Sequence, residues 1–316
     1  MAQVRRAVAV VPSGLEPAPV EPLAGWRSTL AGGVVRAARP KQWLKNVLVF
    51  AAPGAAGVLG QAQPLLRALL AFVVFCLVAS GTYFINDTLD VDADRRHPTK
   101  RHRPVAAGVV GVGLARTIGA GLAAAGLGLS ALLGWKLTLV IVIYLAVQVA
   151  YSVWLKHEPV LDLAAVASGF VLRAIAGGVA VRVPISEWFL IVATFGSLFM
   201  VTGRRSSESL TMGFEGGAHR ATLAVYTPAF LRSILITSST VTIAAYCMWA
   251  FENQAATHEG IWFQLSIVPF VLATFRYAFL LDQGQGGQPE DVVLGDRTLQ
   301  VLGVLWLLVF ALGVYG

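Results

Sequence analysis

Three aspartates near residue 90 have the residue type and the spacing of a metal site. Asp87, Asp90 and Asp94 follow an i, i+3, i+7 pattern, and Asn86 precedes them. On a helix this pattern places the carboxylates on one face within two turns, where they repel one another unless something compensates. Mg²⁺ prefers such oxygen ligands and shares its other positions with phosphate groups. The pattern therefore predicts a magnesium–diphosphate site, with a solvated acidic loop, paired with the arginines that follow, as the alternative.

A basic strip directly follows the aspartates and contains Arg95, Arg96, Lys100, Arg101 and Arg103. A contact with the charged membrane surface would explain the strip by itself. An acidic metal site beside a basic strip also suits a ligand that carries a metal-bound diphosphate and further phosphate groups.

Other polar residues lie next to apolar runs or inside them. Arg173 falls near the middle of such a run, and an intramembrane arginine is a functional candidate by default, although a structural partner such as Asp162 would also explain it. Lys41 and Lys45 share one helical face. They are candidates for a functional role, and the alternative is that they anchor the helix at the membrane interface. Glu290 and Asp291, in the last charged loop, are more typical of solvated acids than of catalytic ones.

The elements that position these residues must be membrane helices. Hydrophobic residues make up 56% of the 316-residue chain, charged residues only 13%, and the mean hydropathy is +0.70. A soluble domain carries roughly 25% charged residues. The only cysteines, Cys76 and Cys247, lie in apolar runs, which excludes a disulfide scaffold. The sequence predicts an all-α polytopic membrane protein.

About nine transmembrane helices are predicted from runs of roughly 20 apolar residues. The first run is short and is interrupted by Pro53 and Gly54, so a kinked or re-entrant segment is the alternative there. Spans one to four and spans five to eight each carry a charged loop after their second helix, which suggests two pseudo-repeated four-helix halves. The runs are 44–60, 66–87, 108–133, 136–155, 161–181, 187–203, 229–250, 261–281 and 298–315.

The predicted helices also indicate the domain boundaries and the orientation of the chain in the membrane. Residues 1–38 are predicted to be a partly disordered tail in which 26–40 could form an interfacial helix, and 39–316 a single transmembrane catalytic domain. Lys and Arg concentrate in the tail and in the loops after the second and sixth spans. The positive-inside rule then places the N-terminus and these loops in the cytoplasm, at the plasma membrane. The net charge of +7 therefore indicates the membrane as partner, and no nucleic acid.

The motif Asn86-Asp87-x-x-Asp90-x-x-x-Asp94, at the end of the second of about nine helices, resembles the UbiA superfamily of intramembrane prenyltransferases. The resemblance covers nearly the whole chain after residue 38. It implies a helical bundle in which Asn86, Asp87, Asp90 and Asp94 hold Mg²⁺, and the Mg²⁺ binds a diphosphate leaving group. Typical members carry a second aspartate-rich motif after the sixth helix, whereas residues 203–208 here read Gly-Arg-Arg-Ser-Ser-Glu.

Residues 203–208, together with segments 39–46 and 151–178, resemble an actinobacterial branch of the superfamily that transfers phosphoribosyl groups. The resemblance implies 5-phosphoribosyl 1-diphosphate as donor and decaprenyl phosphate as acceptor, in the synthesis of cell-wall arabinan. Asp87, Asp90, Asp94 and Glu208 would be catalytic. The implied substrate-binding residues are Lys41, Gln42, Lys45, Asn46, Tyr83, Arg95, Lys100, Arg101, Tyr151, Lys156, Asp162, Arg173, Arg204 and Arg205.

Two other functions remain open on the sequence alone. The nearer one is a UbiA-type prenyltransferase with a prenyl diphosphate donor and an aromatic acceptor, against which the altered second motif counts. The other is an anion transporter, although transporters place their polar groups near the bilayer midplane and these, Arg173 apart, gather at one face. A homo-oligomer is neither required nor excluded.

Overall fold

Long apolar helices dominate the computed structural model, which describes residues 29–212, 225–257, 261–285 and 288–316. None of these residues lies in a strand. The long helices are α3 (Ala62–Leu89), α5 (Val112–Leu133), α6 (Trp135–Val153), α7 (Leu161–Val181), α8 (Glu187–Met212), α9 (Pro228–Thr257), α10 (Trp262–Asp282) and α12 (Arg297–Tyr315). The short ones are α1 (Leu30–Ala38), α2 (Ala51–Ala55), α4 (Val91–Arg96) and α11 (Pro289–Gly295), with 3₁₀ helices at Pro40–Phe50, Lys100–His102 and Leu155–His157.

The all-helical membrane fold is confirmed, but the count of nine spans is not. Seven helices within the described ranges are long and apolar enough to cross a membrane. The predicted run 44–60 instead forms the 3₁₀ helix Pro40–Phe50 followed by the five-residue α2. The predicted run 187–203 lies in α8, which is not among the seven and carries Arg204, Arg205 and Glu208 in its later turns.

The predicted interfacial helix corresponds to α1. Its first turn is capped by Thr29, whose Oγ1 accepts a hydrogen bond of 3.1 Å from the backbone N–H of Gly32. Ala37 is buried with Phe84 of α3 and with Val105. Because α1 packs against the bundle, residues 29–38 form part of the folded body, while residues 1–28 lie outside the described chain. The domain boundary at 38/39 stays a prediction.

Consecutive long helices pack against one another and reverse direction, so their ends alternate between the two faces of the bundle. At one turn Gly134 alone joins α5 to α6, with a φ of 138° that only glycine adopts readily. The α3–α5 and α8–α9 pairs pack most extensively, which is the same position in each predicted half. The ends of α3, α6, α8 and α10 and the starts of α5, α7, α9 and α12 therefore share one face, which we call the polar end.

The most buried spans are α3 and α7, which also carry Asp87, Asp162 and Arg173. Phe75 of α3 and Ile141 of α6 are central members of a core that also includes residues of α7 and the Pro40–Phe50 helix. A second core of stacked aromatic rings joins α9, α10 and α12 at the other side of the bundle. The charged residues of α3 and α7 are thus held by well-packed helices.

One contact fixes how closely α7 approaches the Pro40–Phe50 helix. A Cβ atom added to Gly177 would lie 1.7 Å from the backbone oxygen of Val49. This contact is between two backbones, so no side-chain rotation can relieve it. A glycine is therefore required at this point, and Lys45 and Asn46 on the same 3₁₀ helix owe their placement to it.

Replacing Gly177 with alanine is expected to lower the thermal unfolding temperature of the detergent-purified protein, because overpacking a core typically costs about 1–3 kcal/mol. The matched control is Gly128→Ala in α5, where an added Cβ meets no atom within 4 Å. That change should be neutral or slightly stabilising. Equal unfolding temperatures for the two variants would contradict the close approach.

Candidate active site

The acidic motif lies at the end of α3, where the helix stops at Leu89 and the chain bends. Asp90 adopts φ −95° and ψ 9°, between α3 and α4. Backbone hydrogen bonds continue through the bend, from Asp90 N to Asn86 O (2.9 Å) and from Asp94 N to Asp90 O (2.8 Å). The expectation that one unbroken helix presents the three carboxylates is therefore wrong in detail, since Asp94 lies on α4.

Asp87 and Asp94 are buried and share one arginine. They are 1% and 3% exposed, and Arg103 Nη1 lies 3.3 Å from Asp87 Oδ1 and 2.7 Å from Asp94 Oδ2. Arg39 also donates to Asp87 Oδ1, and its guanidinium lies 4.7 Å from the ring centre of Tyr83. Two cations thus meet two acids where carboxylates alone would be costly to bury.

The end of α6 faces the same motif from another side. Lys156 Nζ lies 3.6 Å from Asp90 Oδ1. Ser152 donates a hydrogen bond of 2.8 Å to Asn86 Oδ1. The predicted ligand set is therefore in contact with residues from the α6–α7 junction, and the predicted substrate-binding role of Lys156 stays a prediction.

The donor set fits magnesium in its chemistry. Asp87 Oδ2 is buried and has no hydrogen-bond partner among the described residues, and such an oxygen is costly unless a cation or donor meets it. Those same residues contain no group of three His, Cys, Asp or Glu residues arranged as a metal site. Arg39 and Arg103 pair with the carboxylates instead. Asn86, Asp87, Asp90 and Asp94 would supply the oxygen ligands for Mg²⁺, and the unpartnered Asp87 Oδ2 is consistent with such a role.

A second buried acid, Asp162 at the start of α7, forms the other centre of the site. It is fully buried, and its Oδ2 accepts a hydrogen bond of 3.2 Å from Arg205 Nη2. The other end of that guanidinium donates from Nη1 to Glu208 Oε2 at 3.1 Å. Arg205, which is 3% exposed and also interacts with Tyr151, thus lies between two carboxylates.

Tyr226 completes this second centre from the segment before α9. Its hydroxyl donates to Asp162 Oδ1 and accepts a hydrogen bond of 2.7 Å from the backbone N–H of Val160. Val160 has a φ of 70°, an unfavourable value for a β-branched residue. Tyr226 therefore both satisfies Asp162 and holds the strained entry to α7.

Arg204 connects α8 to two other elements. Its Nε donates to Glu208 Oε1 at 2.9 Å, and its Nη1 donates to Gln288 Oε1, also at 2.9 Å. The same oxygen of Gln288 accepts from Lys45 Nζ at 3.3 Å, and Lys45 also donates to Gln42 Oε1 at 2.5 Å. These contacts bring the Pro40–Phe50 helix, α8 and the segment before α11 together.

Arg173 is held deeper in the bundle, away from Asp162. It is 5% exposed and donates from Nε to Asn46 Oδ1 at 2.7 Å and from Nη2 to the Tyr144 hydroxyl at 3.2 Å. The rings of Tyr144 and Phe75 lie 5.1 and 5.4 Å from its guanidinium carbon. These contacts explain the intramembrane arginine structurally, with Asn46 rather than Asp162 as its partner, and substrate binding by either residue stays a prediction.

The remaining predicted residues lie at the rim. Arg95 is exposed and donates to the backbone oxygen of Ala106 at 3.3 Å. Lys41 is also exposed, whereas Lys100 and Arg101 are half-buried on the 3₁₀ helix after α4. Asp291 is exposed, as expected, and the side chain of Glu290 lies outside the described part of the chain.

Several residues of the site were absent from the predicted set, among them Arg39, Arg103, Tyr226 and Gln288. Arg103 belongs to the basic strip beside the acidic motif, so a preference for the arginines of that strip could have found it, whereas Arg39 lies 48 residues from Asp87. Tyr226 and Gln288 are 64 and 243 residues from the groups they contact, and no local pattern marks them.

The family model described as the UbiA prenyltransferase family matches residues 47–302, which is most of the chain. The chain belongs to the UbiA prenyltransferase family. The family expectation made from the aspartate motif is thereby confirmed, and with it the class of membrane-embedded transferase.

Relatives within this family narrow the comparison. A protein of Corynebacterium glutamicum named decaprenyl-phosphate phosphoribosyltransferase is 47% identical over 90% of this chain and 88% of its own length. A protein of the same name from Mycobacterium tuberculosis is 47% identical over 89% of this chain and 93% of its own. The UbiA homologue of Archaeoglobus fulgidus, solved with GPP and Mg²⁺, has the same fold, with a TM-score of 0.67, 21% identity and coverage of 89% and 98% of the two chains.

Tyr226 generates a prediction about stability and pH. Burial, followed by the hydrogen bond to Asp162, raises the pKa of Tyr226 to about 12. A tyrosine in the unfolded chain has a pKa of about 10. The contribution of the Tyr226 hydroxyl to the stability of the folded protein is therefore complete below that pH and is lost as the pH rises towards 12. Tyr226→Phe should destabilise the protein by about 1–3 kcal/mol at pH 8, with a smaller difference from wild type at pH 11.

The measurement is thermal unfolding of both proteins across this pH range. Tyr315→Phe, at an exposed position near the end of α12, is the control and should match wild type throughout. A difference for Tyr226→Phe that stayed constant up to pH 11 would show that the hydroxyl does not carry the pH dependence.

Proposed function

We propose that this protein transfers the 5-phosphoribosyl group of 5-phosphoribosyl 1-diphosphate to decaprenyl phosphate, releasing diphosphate. The observation that carries the proposal is that the ends of α3 and α8, at corresponding positions of the two halves, carry different charged residues. The first half presents Asp87, Asp90 and Asp94, whereas the second presents Arg204 and Arg205. A donor and an acceptor that both carry phosphate need cations as well as a metal. The names of the two 47%-identical relatives support the same reaction.

Asn86, Asp87, Asp90 and Asp94 would hold Mg²⁺ at the acidic motif, and the fold shared with the Mg²⁺-bound archaeal homologue supports this choice of metal. Bound there, the ion would neutralise the charge that develops on the departing diphosphate. Arg39 and Arg103, which now pair with these carboxylates, lie where they could bind diphosphate oxygens directly.

The transfer itself needs little acid–base chemistry. The bond between C1 of the ribose and the diphosphate oxygen breaks, and the diphosphate leaves with the electron pair. An oxygen of the acceptor phosphate then forms the new bond to C1. Because the acceptor is already an anion, no general base is needed, and the protein's task is to position and to stabilise charge. Asp94 or Glu208 would stabilise the positive charge on the ribose or bind its hydroxyls.

The lipid chain has an apolar site beside the second centre. A cavity of about 490 Å³ lies between α7, α8 and α9, next to Val160. Its walls include Leu163, Phe195, Leu198 and Phe230. Since a polyprenyl chain stays in the bilayer, this cavity would receive the part of the chain nearest to the phosphate.

The location of the reaction follows from the same arrangement. We propose that the polar end faces the cytoplasm across the plasma membrane, because the basic loops lie at this end and the phosphoribosyl donor is water-soluble. The donor then approaches from the cytoplasm and the acceptor from the bilayer. Whether the protein works as a homo-oligomer does not alter this scheme.

The direct test supplies purified protein in detergent with radiolabelled 5-phosphoribosyl 1-diphosphate, Mg²⁺ and decaprenyl phosphate. Label is expected in the organic phase and should be lost when EDTA removes the metal. Absence of transfer, together with turnover of a prenyl diphosphate and an aromatic acceptor, would instead assign the protein to the ordinary prenyltransferases of its family.

The acidic motif offers a matched pair of variants. Asp90→Ala removes a proposed metal ligand and is expected to lower kcat by at least about 100-fold, while the unfolding temperature stays close to wild type because its contact with Lys156 is partly exposed. Asp92→Ala, two residues away, removes an exposed carboxylate whose ion-pair partner in the described part of the chain is Arg95. It should keep wild-type activity. Full activity of Asp90→Ala would remove this residue from the metal site.

A further inference from the structure

Gln288 brings two cations from different parts of the chain to one neutral oxygen. Lys45 Nζ and Arg204 Nη1 lie 3.3 and 2.9 Å from Gln288 Oε1. Ammonium and guanidinium groups only donate hydrogen bonds, so the oxygen of the amide, and not its NH₂ group, must face them. The orientation of the Gln288 amide is therefore fixed by the two donors that it faces.

The same geometry occurs at the acidic motif with a charged acceptor. There Arg39 and Arg103 converge on Asp87 Oδ1. At Gln288 the shared acceptor is a neutral amide oxygen, whereas at the acidic motif it is a carboxylate oxygen. Both donors are already charged, so an anionic oxygen at the position of Oε1 would add ionic attraction to each of these two hydrogen bonds.

Arg205, the neighbour of Arg204, is not equivalent to it. Both ends of its guanidinium are bonded to carboxylates, those of Asp162 and Glu208, and the side chain is 3% exposed. Arg204 uses Nε for Glu208 and directs Nη1 to Gln288. Of the two arginines, Arg204 is thus the one with a nitrogen directed to an exchangeable neutral acceptor, and Arg205 acts as a positioning residue.

We propose that Lys45 and Arg204 form a binding site for a phosphate monoester, and that Gln288 Oε1 occupies the place of one phosphate oxygen. One oxygen at that point reaches both cations, as Oε1 already does. The identity of the monoester rests on the proposed function, which supplies two candidates of the same chemistry, the 5-phosphate of the donor and the phosphate of the lipid acceptor.

The segment that carries Gln288 can release it without moving the bundle. Gln288 precedes α11, while the carbonyl of Gly284 accepts a hydrogen bond of 3.1 Å from Ser207 on α8. Behind the segment, Asp296 is fixed by Arg276 at 2.7 Å and caps α12 through the N–H of Leu299 at 2.7 Å. Gly284 and Asp296 are thus held by their own contacts, and a rotation of the Gln288 side chain would free the position of its oxygen for a phosphate oxygen.

The test is Gln288→Glu, which keeps the shape of the side chain and places a negative charge on the shared oxygen. The carboxylate should hold Lys45 and Arg204 more tightly and compete with phosphate. The expected result is a KM raised about tenfold for one substrate or for both, with kcat kept and an unfolding temperature at or above that of the wild-type protein. A rise for 5-phosphoribosyl 1-diphosphate assigns the site to the donor, and a rise for decaprenyl phosphate assigns it to the acceptor.

Gln283→Glu is the matched control, because Gln283 is an exposed glutamine on the same segment, and its Oε1 accepts only from Gln285. It should leave both KM values unchanged. Unchanged KM values for Gln288→Glu in an active protein would overturn the proposal, as would a loss of kcat and stability without a change in KM, which is the signature of a purely structural contact.

Inorganic phosphate tests the site independently of turnover. Phosphate should raise the unfolding temperature of the wild-type protein and of Gln283→Glu, and do so less for Gln288→Glu. Equal stabilisation of all three proteins would overturn the proposal even if the wild-type protein proved inactive with both substrates. Inactivity combined with the expected loss of phosphate stabilisation would instead contradict only the proposed reaction.

Discussion

Two carboxylates buried at the end of a membrane helix bundle require cationic or hydrogen-bonding partners around them. Asp87 and Asp162 are almost completely enclosed, and an uncompensated charge there would cost several kcal/mol. Arg39 and Arg103 meet the first, and Arg205 and Tyr226 meet the second. The 3₁₀ helix after α1, the loop after α4, the last turns of α8 and the segment before α9 are all placed where they can deliver these groups.

The helices were predictable because apolar runs report burial in lipid directly. The eight runs from 66–87 onward correspond to α3, α5 to α10 and α12 with ends displaced by a few residues, apart from the longer C-terminal ends of α8 and α9. The run 44–60 was counted as a membrane-spanning helix because hydropathy does not distinguish a 3₁₀ helix from an α-helix. Pro53 and Gly54, which lie just after the 3₁₀ helix, were the sign that the run is interrupted. The bend at Asp90 was not predicted, because an i, i+3, i+7 pattern places side chains on one face only if the helix continues through all of these positions.

The candidate site was predictable as a set of residue types but not as a set of pairs. The acidic motif and the arginines at 204 and 205 follow from composition and local spacing. Their partners follow from the fold, because Arg39 reaches Asp87 across 48 residues and Arg173 finds Asn46 across 127. For Arg173, charge alone suggested Asp162, whereas the packed bundle supplied an amide and a tyrosine hydroxyl.

The distances along the chain also constrain how the molecule is made. Asp162 leaves the ribosome 43 residues before Arg205 and 64 residues before Tyr226. Until both have been synthesised, the carboxyl of Asp162 lacks the partners that meet it in the folded bundle, and burying it as a carboxylate would be costly. Asp87 has Arg39 already made and needs only the 16 further residues that lead to Arg103. The contacts of the N-terminal centre can therefore form during synthesis earlier than those of the second centre.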